Sequence, residues 1–250
     1  MKLIQITDLH IGKIGENSHN IDVRKNFLDV LEAVKNEAPD QLIISGDLCL
    51  NDGEKEVYEW IKPYLDQLPF PYHLISGNHD DPKLLVETFN LEDNFFDNQL
   101  FYKKKFENQT VLFLDTTHYY LPDLQLTWLE KELKNLDEEL IIFIHHPPVN
   151  SDVPFMDNKH HLRNMEALQN VLFQYPHRIH LFCGHYHVDK IILKKNIAVY
   201  ITPACYFQID FRVPHFKVDH FRIGFRQIEV KNGTVITSVR YLEGNKIINN

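Results

Sequence analysis

Five places in the chain set a run of apolar residues directly before Asp, Asn or His. Ile4-Gln5-Ile6-Thr7 leads into Asp8-Leu9-His10, Leu42-Ile43-Ile44-Ser45 into Gly46-Asp47, and Leu74-Ile75-Ser76 into Gly77-Asn78-His79-Asp80. Farther on, Ile141-Ile142-Phe143-Ile144 leads into His145-His146-Pro147-Pro148, and Leu181-Phe182-Cys183 into Gly184-His185-Tyr186-His187. Carboxylate oxygen, imidazole nitrogen and amide oxygen are ligands for first-row divalent and trivalent metals. No thiolate belongs to the set, which argues against an iron–sulfur cluster or a Cys-type structural zinc. One residue separates Asp8 from His10, and His185 from His187. At the end of an extended segment, such pairs point to one side and can grip one centre or two neighbouring ones. Gly46, Gly77 and Gly184 are expected to let the backbone turn sharply just before a ligand. Taken singly, each fragment has an ordinary use: Asp-x-His closes turns, Gly-Asp caps helices and His-His-Pro-Pro stops a strand. Five in order, each after a buried-strand pattern, point to metal binding.

The elements that must hold these residues alternate. Segments 3–7, 41–45 and 73–76 read as strands. Val23, Phe27, Val30, Leu31 and Val34 recur at helical spacing between the first two. Segment 54–68 reads as a helix that Pro63 should kink or end, and 82–89 as a short helix opened by Pro82. A hairpin is expected from 101–106 and 111–115, across residues 107–109. Leu126, Leu129, Leu133 and Leu136 mark another helix, 140–144 a strand, Met165, Leu168 and Leu172 a helix, and 179–183 a strand. Alternating strands and helices imply a largely parallel sheet. In open α/β sheets, ligands bind where loops converge at the C-terminal strand ends. From Val188 onward the pattern turns to strands and turns, ending with 222–230 and 234–242, with Asn232-Gly233 as a hairpin turn. Without a repeat or linker, 1–250 is expected to be a single domain whose β-rich part, 188–250, completes the second sheet.

The composition narrows the function. The 250 residues, 44% hydrophobic and 24% charged, are ordinary for a globular protein. A formal charge of −9 argues against nucleic acid or an anionic membrane as the main partner. No segment reaches the roughly 18 apolar residues of a spanning helix, and the apolar start is too short for a secretory leader. Cys49, Cys183 and Cys205 are odd in number and widely spaced, so reduced, buried thiols in a cytoplasmic protein are expected.

The ordered set Asp-x-His, Gly-Asp, Gly-Asn-His-Asp, His and Gly-His-x-His, across residues 8 to 187, resembles the calcineurin-like metallophosphoesterase superfamily. The resemblance implies an α/β fold, a four-layer α/β/β/α sandwich of two mixed central sheets flanked by helices, with two metals at one edge. Several further stretches are similar to the bacterial class III cyclic-nucleotide phosphodiesterases. They are Leu68-Pro69-Phe70-Pro71, Gly77-Asn78-His79-Asp80-Asp81-Pro82, His145-His146-Pro147-Pro148-Val149, Leu162-Arg163-Asn164, Cys183-Gly184-His185-Tyr186-His187 and Thr202-Pro203-Ala204-Cys205 with Gln208. Ala204 departs from the serine of that branch, which touches the substrate assignment and not the metals.

Carried over by position, the resemblance implies Asp8, His10 and His187 on one metal, Asn78, His145 and His185 on the other, and Asp47 bridging. His145 is preferred to His146 because relatives place the ligand in His-x-Pro. Two metal ions per chain are expected, iron or manganese first and zinc as the alternative. His79 resembles the family's phosphate-contacting histidine and is the expected proton donor, with Asp80 orienting it; Asn78 and Arg163 join His79 as substrate contacts. Phe155, Phe207 and Phe211 are candidates to stack on a base, with core packing as the alternative. The expected activity is hydrolysis of 3′,5′-cyclic nucleotides, cyclic AMP foremost. Other phosphodiesters, glycerophosphodiesters among them, are the alternative, ahead of a nuclease or a non-catalytic scaffold. The expected partner is a small-molecule cyclic nucleotide, with no nucleic acid or membrane; a homodimer stays open.

Overall fold

Short apolar runs make the central strands. The computed structural model describes residues 1–16 and 18–246. In chain order it holds β1 (Lys2–Ile6), α1 (Val23–Glu37), β2 (Gln41–Ser45), α2 (Lys55–Asp66), β3 (Tyr72–Ile75) and α3 (Pro82–Phe89). Then come β4 (Phe95–Phe96), β5 (Gln99–Leu100), β6 (Tyr102–Phe106), β7 (Gln109–Leu114), α4 (Asp123–Lys134), β8 (Leu140–Ile144), α5 (Pro154–Lys159) and α6 (Met165–Leu172). The last third contributes β9 (Ile179–Cys183), β10 (Lys190–Lys194), β11 (Ile197–Ile201), β12 (Gln208–Ile209), β13 (Val218–His220), β14 (Ile223–Lys231) and β15 (Thr234–Leu242). Every residue of β8 and β9 is buried, as expected of strands covered on both faces.

Among the described residues, two large mixed sheets form the centre. One has the order β15-β14-β1-β2-β3, the other β10-β11-β9-β8-β7-β6. β1, β2 and β3 are parallel, as are β7, β8, β9 and β11; the antiparallel strands lie outside them. Helices α1, α2 and α3 share a core with the first sheet, and α4, α5 and α6 with the second. The expected four layers are therefore present. Between the sheets, Tyr102, Phe113, Phe143, Phe182 and Tyr200 stack strand by strand, with neighbouring ring centroids 4.4 to 5.6 Å apart. That ladder joins the core of the first sheet.

The β-rich tail divides. β10 and β11 extend the second sheet, but β14 and β15 pair onto β1 and complete the first. The expectation named the second sheet for 188–250; the tail also supplies the first, through β14 and β15 on β1, and its last four residues lie outside the described ones. Asn232 and Gly233, with φ of 50° and 75°, make the two-residue turn between β14 and β15, as their types require. Pro63 does not stop its helix. α2 runs three residues past it, because Ile61 and Leu65 on either side are buried against the core. The three cysteines are buried and unpaired. No helix among the described residues is long and apolar enough to cross a membrane.

Candidate metal centre

β1, β2 and β3 from one sheet and β8 and β9 from the other all end at one rim. Backbone hydrogen bonds join these ends side by side: Asp8 N–H donates to Gly46 O, His10 N–H to Asp47 O, and Gly184 N–H to His145 O, at 3.0 to 3.1 Å. Across the seam between the sheets, His185 N–H donates to both oxygens of the Asp8 carboxylate at 3.1 Å.

The turns beyond the strands are kinked. Asp8, His10, Asp47, His185 and His187 have φ of 55°, 47°, 52°, 65° and 51°. The left-handed region is unfavourable for such residues, at about 1–2 kcal/mol each, and is held only where the surroundings over-determine it. Asp8/His10 and His185/His187 therefore converge through paired left-handed kinks. Strand alternation, the basis expected for these pairs, is not the cause. The glycines divide in the same way. Gly46, at φ 99°, makes the expected sharp turn. Gly77 and Gly184 instead provide clearance: a Cβ on the first would lie 2.3 Å from Asp47 Oδ1, and one on the second 2.1 Å from Thr7 Oγ1 and 2.7 Å from Asp8 Oδ2.

Donor atoms of Asp8, His10 and His187 lie within 4.8 Å of one another, as do those of Asp47, His145 and His185, and those of His10, Asp47 and His79. Asp8 Oδ1 is 3.3 Å from His187 Nε2, and Asp47 Oδ2 is 3.2 Å from His145 Nε2. Backbone carbonyls fix three of the rings. His145 Nδ1 donates to Ser45 O at 2.8 Å, His187 Nδ1 to Phe207 O at 2.9 Å, and His185 Nε2 to His160 O at 2.8 Å. Each ring then turns its other nitrogen toward the cluster. Asn78 Oδ1, His145 Nε2 and His10 Nδ1 are buried without a hydrogen-bond partner. Such atoms are costly to leave unsatisfied, and a cation relieves the ones it contacts. The donor set fits metal ions on this ground.

The electrostatics agree. Burial pushes His10 and His185 down to about 3, so both rings are neutral, as ligation requires. Burial favours the neutral acid at Asp8 and Asp47, yet the imidazoles, His187 first for Asp8 and His145 for Asp47, hold both carboxyls below their usual range. Burial draws His145 down, but Asp47 and then Asp8 outweigh it and raise it to about 9. Two buried carboxylates demand nearby positive charge, and cations answer that demand.

Above these donors opens a cavity of about 570 Å³, in the range of small-molecule sites. His10, Asp47, Asn78, His79, His185 and His187 line its floor, with Asp8 and His145 buried beneath. His79 N–H donates to Asp47 Oδ1 at 2.9 Å, and its Nδ1 sits 2.7 Å from Asn51 O. His146 stands behind the floor, with Nδ1 2.8 Å from Thr116 Oγ1 and its ring 4.0 Å from that of His185.

Three expected placements differ. Asp80 does not orient His79. It is buried, and its carboxylate accepts from Leu48, Cys49 and Gly77 N–H and from Tyr58 Oη–H, tying the Asp47 turn to the Asn78 turn. Arg163 does not line the cavity. Its guanidinium lies 5.5 Å over the Tyr119 ring and borders a neighbouring hollow with His161 and Glu166. Of the three stacking candidates, Phe155 and Phe207 line the cavity, whereas Phe211 packs under Lys190 Nζ at 4.8 Å. The side chains of Asn164 and Gln208 brace loops: Asn164 bonds both backbone groups of Leu121, and Gln208 bonds Ala204 and Arg222. The sequence reading missed His19, Tyr119, His160, Tyr206 and Phe216, all of which line the cavity. They sit in irregular connections or beside motif residues, where no periodicity marks them.

The calcineurin-like phosphoesterase family profile matches residues 1–189. A probable cyclic nucleotide phosphodiesterase of Fibrobacter succinogenes is 32% identical over 241 residues, covering 96% of this chain and 94% of its own. A probable glycerophosphodiester phosphodiesterase, GpdQ, of Arcobacter nitrofigilis is 31% identical over 209 residues, covering 80% and 76%. In fold the chain is similar to a dimetal phosphatase from Danio rerio, with a TM-score of 0.73 over 98% of each chain at 15% identity.

Proposed function

The chain belongs to the calcineurin-like phosphoesterase family, and from that premise we propose that it hydrolyses 3′,5′-cyclic nucleotides, cyclic AMP foremost, to nucleoside 5′-monophosphates at a pair of metal ions. One observation carries the reading. The donors floor a small-molecule cavity in whose described lining there is no Lys or Arg. A monoester dianion gains most where cationic side chains add to the metals; a diester carries one charge and needs less. A nucleic acid backbone would also require cationic contacts beyond the centre.

In this reading Asp8, His10 and His187 hold one ion, Asn78, His145 and His185 the other, and Asp47 both. Iron, manganese and zinc all accept such donors. A bound pair supplies an activated water and offsets the charge that builds on the phosphoryl oxygens. The chain's own task is to fix the phosphate and protonate the leaving ribose 3′-oxygen. His79 is the proposed donor, acting as the doubly protonated ring: Nδ1–H is committed to Asn51 O, which leaves Nε2–H to pass its proton to the leaving oxygen. Asn78, beside it, faces the same cavity.

A glycerophosphodiester is the second reading, supported by the likeness to the Arcobacter protein named for that activity. The deciding experiment measures turnover of cyclic AMP, cyclic GMP, glycerophosphocholine and 4-nitrophenyl phosphate, with metal content determined on the same sample. Cyclic-nucleotide turnover well above the rest is expected. Preference for the monoester, or no cyclic-nucleotide turnover by metal-loaded protein, overturns the first reading.

A further inference from the structure

The mouth of the cavity holds three rings that phosphoryl chemistry leaves unused. His19 and Phe207 meet edge to face with centroids 4.9 Å apart, Phe207 and Phe216 do so at 5.7 Å, and His19 lies 5.8 Å from Phe216. These are the separations of paired aromatics. The Phe207 ring also stands 5.2 Å from His187, whose Nδ1–H its carbonyl accepts. One residue thus ties the trio to the metal donors.

Phe216 is 43% exposed while lining the cavity. Its loop, between β12 and β13, is clamped shut at the base. Asp210, itself 1% exposed, takes Arg212 Nε at 2.6 Å and Lys217 Nζ at 2.9 Å, and its N–H donates to Lys217 O at 2.8 Å. His19 sits at φ 57°, in the left-handed region of a turn. Two separate loops are therefore shaped to hold ring surface against an open cavity. Nothing in the hydrolysis of a phosphoester bond calls for that surface. A planar ligand does.

We propose that His19, Phe207 and Phe216 form the seat of a nucleobase, and that the cavity takes purine nucleotides. The inference rests on the phosphodiesterase reading for where the phosphate sits. Stacking on a ring face needs no particular hydrogen-bond pattern, so it grips bases as a class. The two fused rings of a purine cover more of Phe216 and His19 than a pyrimidine does, and a glycerol diester has nothing to stack.

The test separates the seat from the chemistry by measuring binding. Calorimetry on manganese-loaded protein compares adenosine 5′-monophosphate, uridine 5′-monophosphate and ribose 5-phosphate, which share the phosphate and differ in the base. The wild-type protein is expected to bind the purine nucleotide at least about 10-fold tighter than ribose 5-phosphate, with uridine between them. Phe216→Ala, an exposed site, and His19→Ala are each expected to bring that ratio toward one while ribose 5-phosphate affinity stays unchanged. Phe207 is left intact because its carbonyl holds His187. Absence of a purine preference in the wild type, or a preference that survives both substitutions, overturns the seat even where cyclic AMP is hydrolysed. A preference that both substitutions abolish, in a protein that does not hydrolyse cyclic AMP, upholds the seat and overturns the proposed reaction.

Discussion

At the floor of the cavity, Asp8 and His145 are fully buried; at its mouth, Phe216 shows nearly half its surface to solvent. The floor residues ride turns of two or three residues that leave central strands, cross-linked by backbone hydrogen bonds. A buried polar network lies beneath them. Gln5 Nε2 donates to Ser45 Oγ at 2.7 Å and accepts Thr202 Oγ–H through Oε1 at 2.6 Å; Arg226, 1% exposed, donates to Thr202 Oγ1 at 3.0 Å and Asp189 Oδ1 at 2.7 Å. Buried networks of this kind add little net stability but restrict how two layers can sit on each other. Of the mouth residues, His19 and Phe216 ride connections outside the sheets, whereas Phe207 lies in a buried segment whose Cys205 N–H donates to Thr7 O at 3.0 Å. The difference assigns the two halves different work: the floor carries a geometry shared with the fold, and the mouth carries what the loops add to it.

The largest break in that comparison is Asp47→Ala. It removes the one carboxylate that takes part in two of the three clusters. Turnover is expected to fall by about 10³-fold or more with the far-ultraviolet circular dichroism unchanged, because metal stabilisation of phosphoryl charge is worth several kcal/mol. Phe216→Ala should leave metal content at the wild-type level. Equal metal loss in both variants would mean that floor and mouth are one unit. Next comes Gly184→Ala. Its new methyl meets Thr7 Oγ1 and Asp8 Oδ2 at less than van der Waals distance, so about 3 kcal/mol of stability should be lost, with weaker metal binding. Thermal melts with and without added manganese check this, and a melt that matches wild type would show the seam to be looser than the distances imply.

The same contrast explains what could be read in advance. Asp8, His10, Asp47, Asn78, His145, His185 and His187 are marked by the apolar strands before them, and the alternating layers follow from the same runs. The partners of three imidazoles were hidden because they are the carbonyls of Ser45, His160 and Phe207, and a carbonyl belongs to every residue type. Asp80 was misread because sequence adjacency to His79 does not show that its carboxylate turns inward, toward backbone N–H groups of another turn. Arg163 was misread for a similar reason, since its guanidinium settles on Tyr119. Phe216 carried no signal at all: an aromatic residue in a loop looks the same whether it packs or waits for a ligand.

Asp80→Asn sharpens the floor further. The carboxylate accepts from three backbone N–H groups and from Tyr58, and burial, then Asp47, raises it to about 6. An amide keeps the shape but turns one acceptor into a donor that faces N–H groups. Stability should fall by about 2–3 kcal/mol, seen as a lower urea midpoint, while kcat of the metal-saturated protein stays within severalfold of wild type. A kcat loss of 100-fold or more at full metal occupancy would return Asp80 to the reaction.

The smallest effect lies away from both regions and is needed to interpret acid profiles of either. His73, on β3, packs its ring against Phe106 and Phe113, hydrogen-bonds to Gln41 Oε1 at 3.0 Å, and has Lys104 as its charged neighbour. Burial, with Lys104 adding to it, pushes the imidazole down to about 4. In the unfolded chain it titrates near 6.5. Between those values the unfolded state binds the proton and the folded state does not, so stability is complete above pH 6.5 and drains away as pH falls toward 4. At pH 5 the loss should be about 1–2 kcal/mol. His73→Phe keeps a ring between Phe106 and Phe113 and removes the titration, so its urea midpoint should change less between pH 7 and pH 5 than that of the wild type. If the two proteins lose stability in parallel, the acid sensitivity arises elsewhere, and the metal-binding floor becomes the place to look for it.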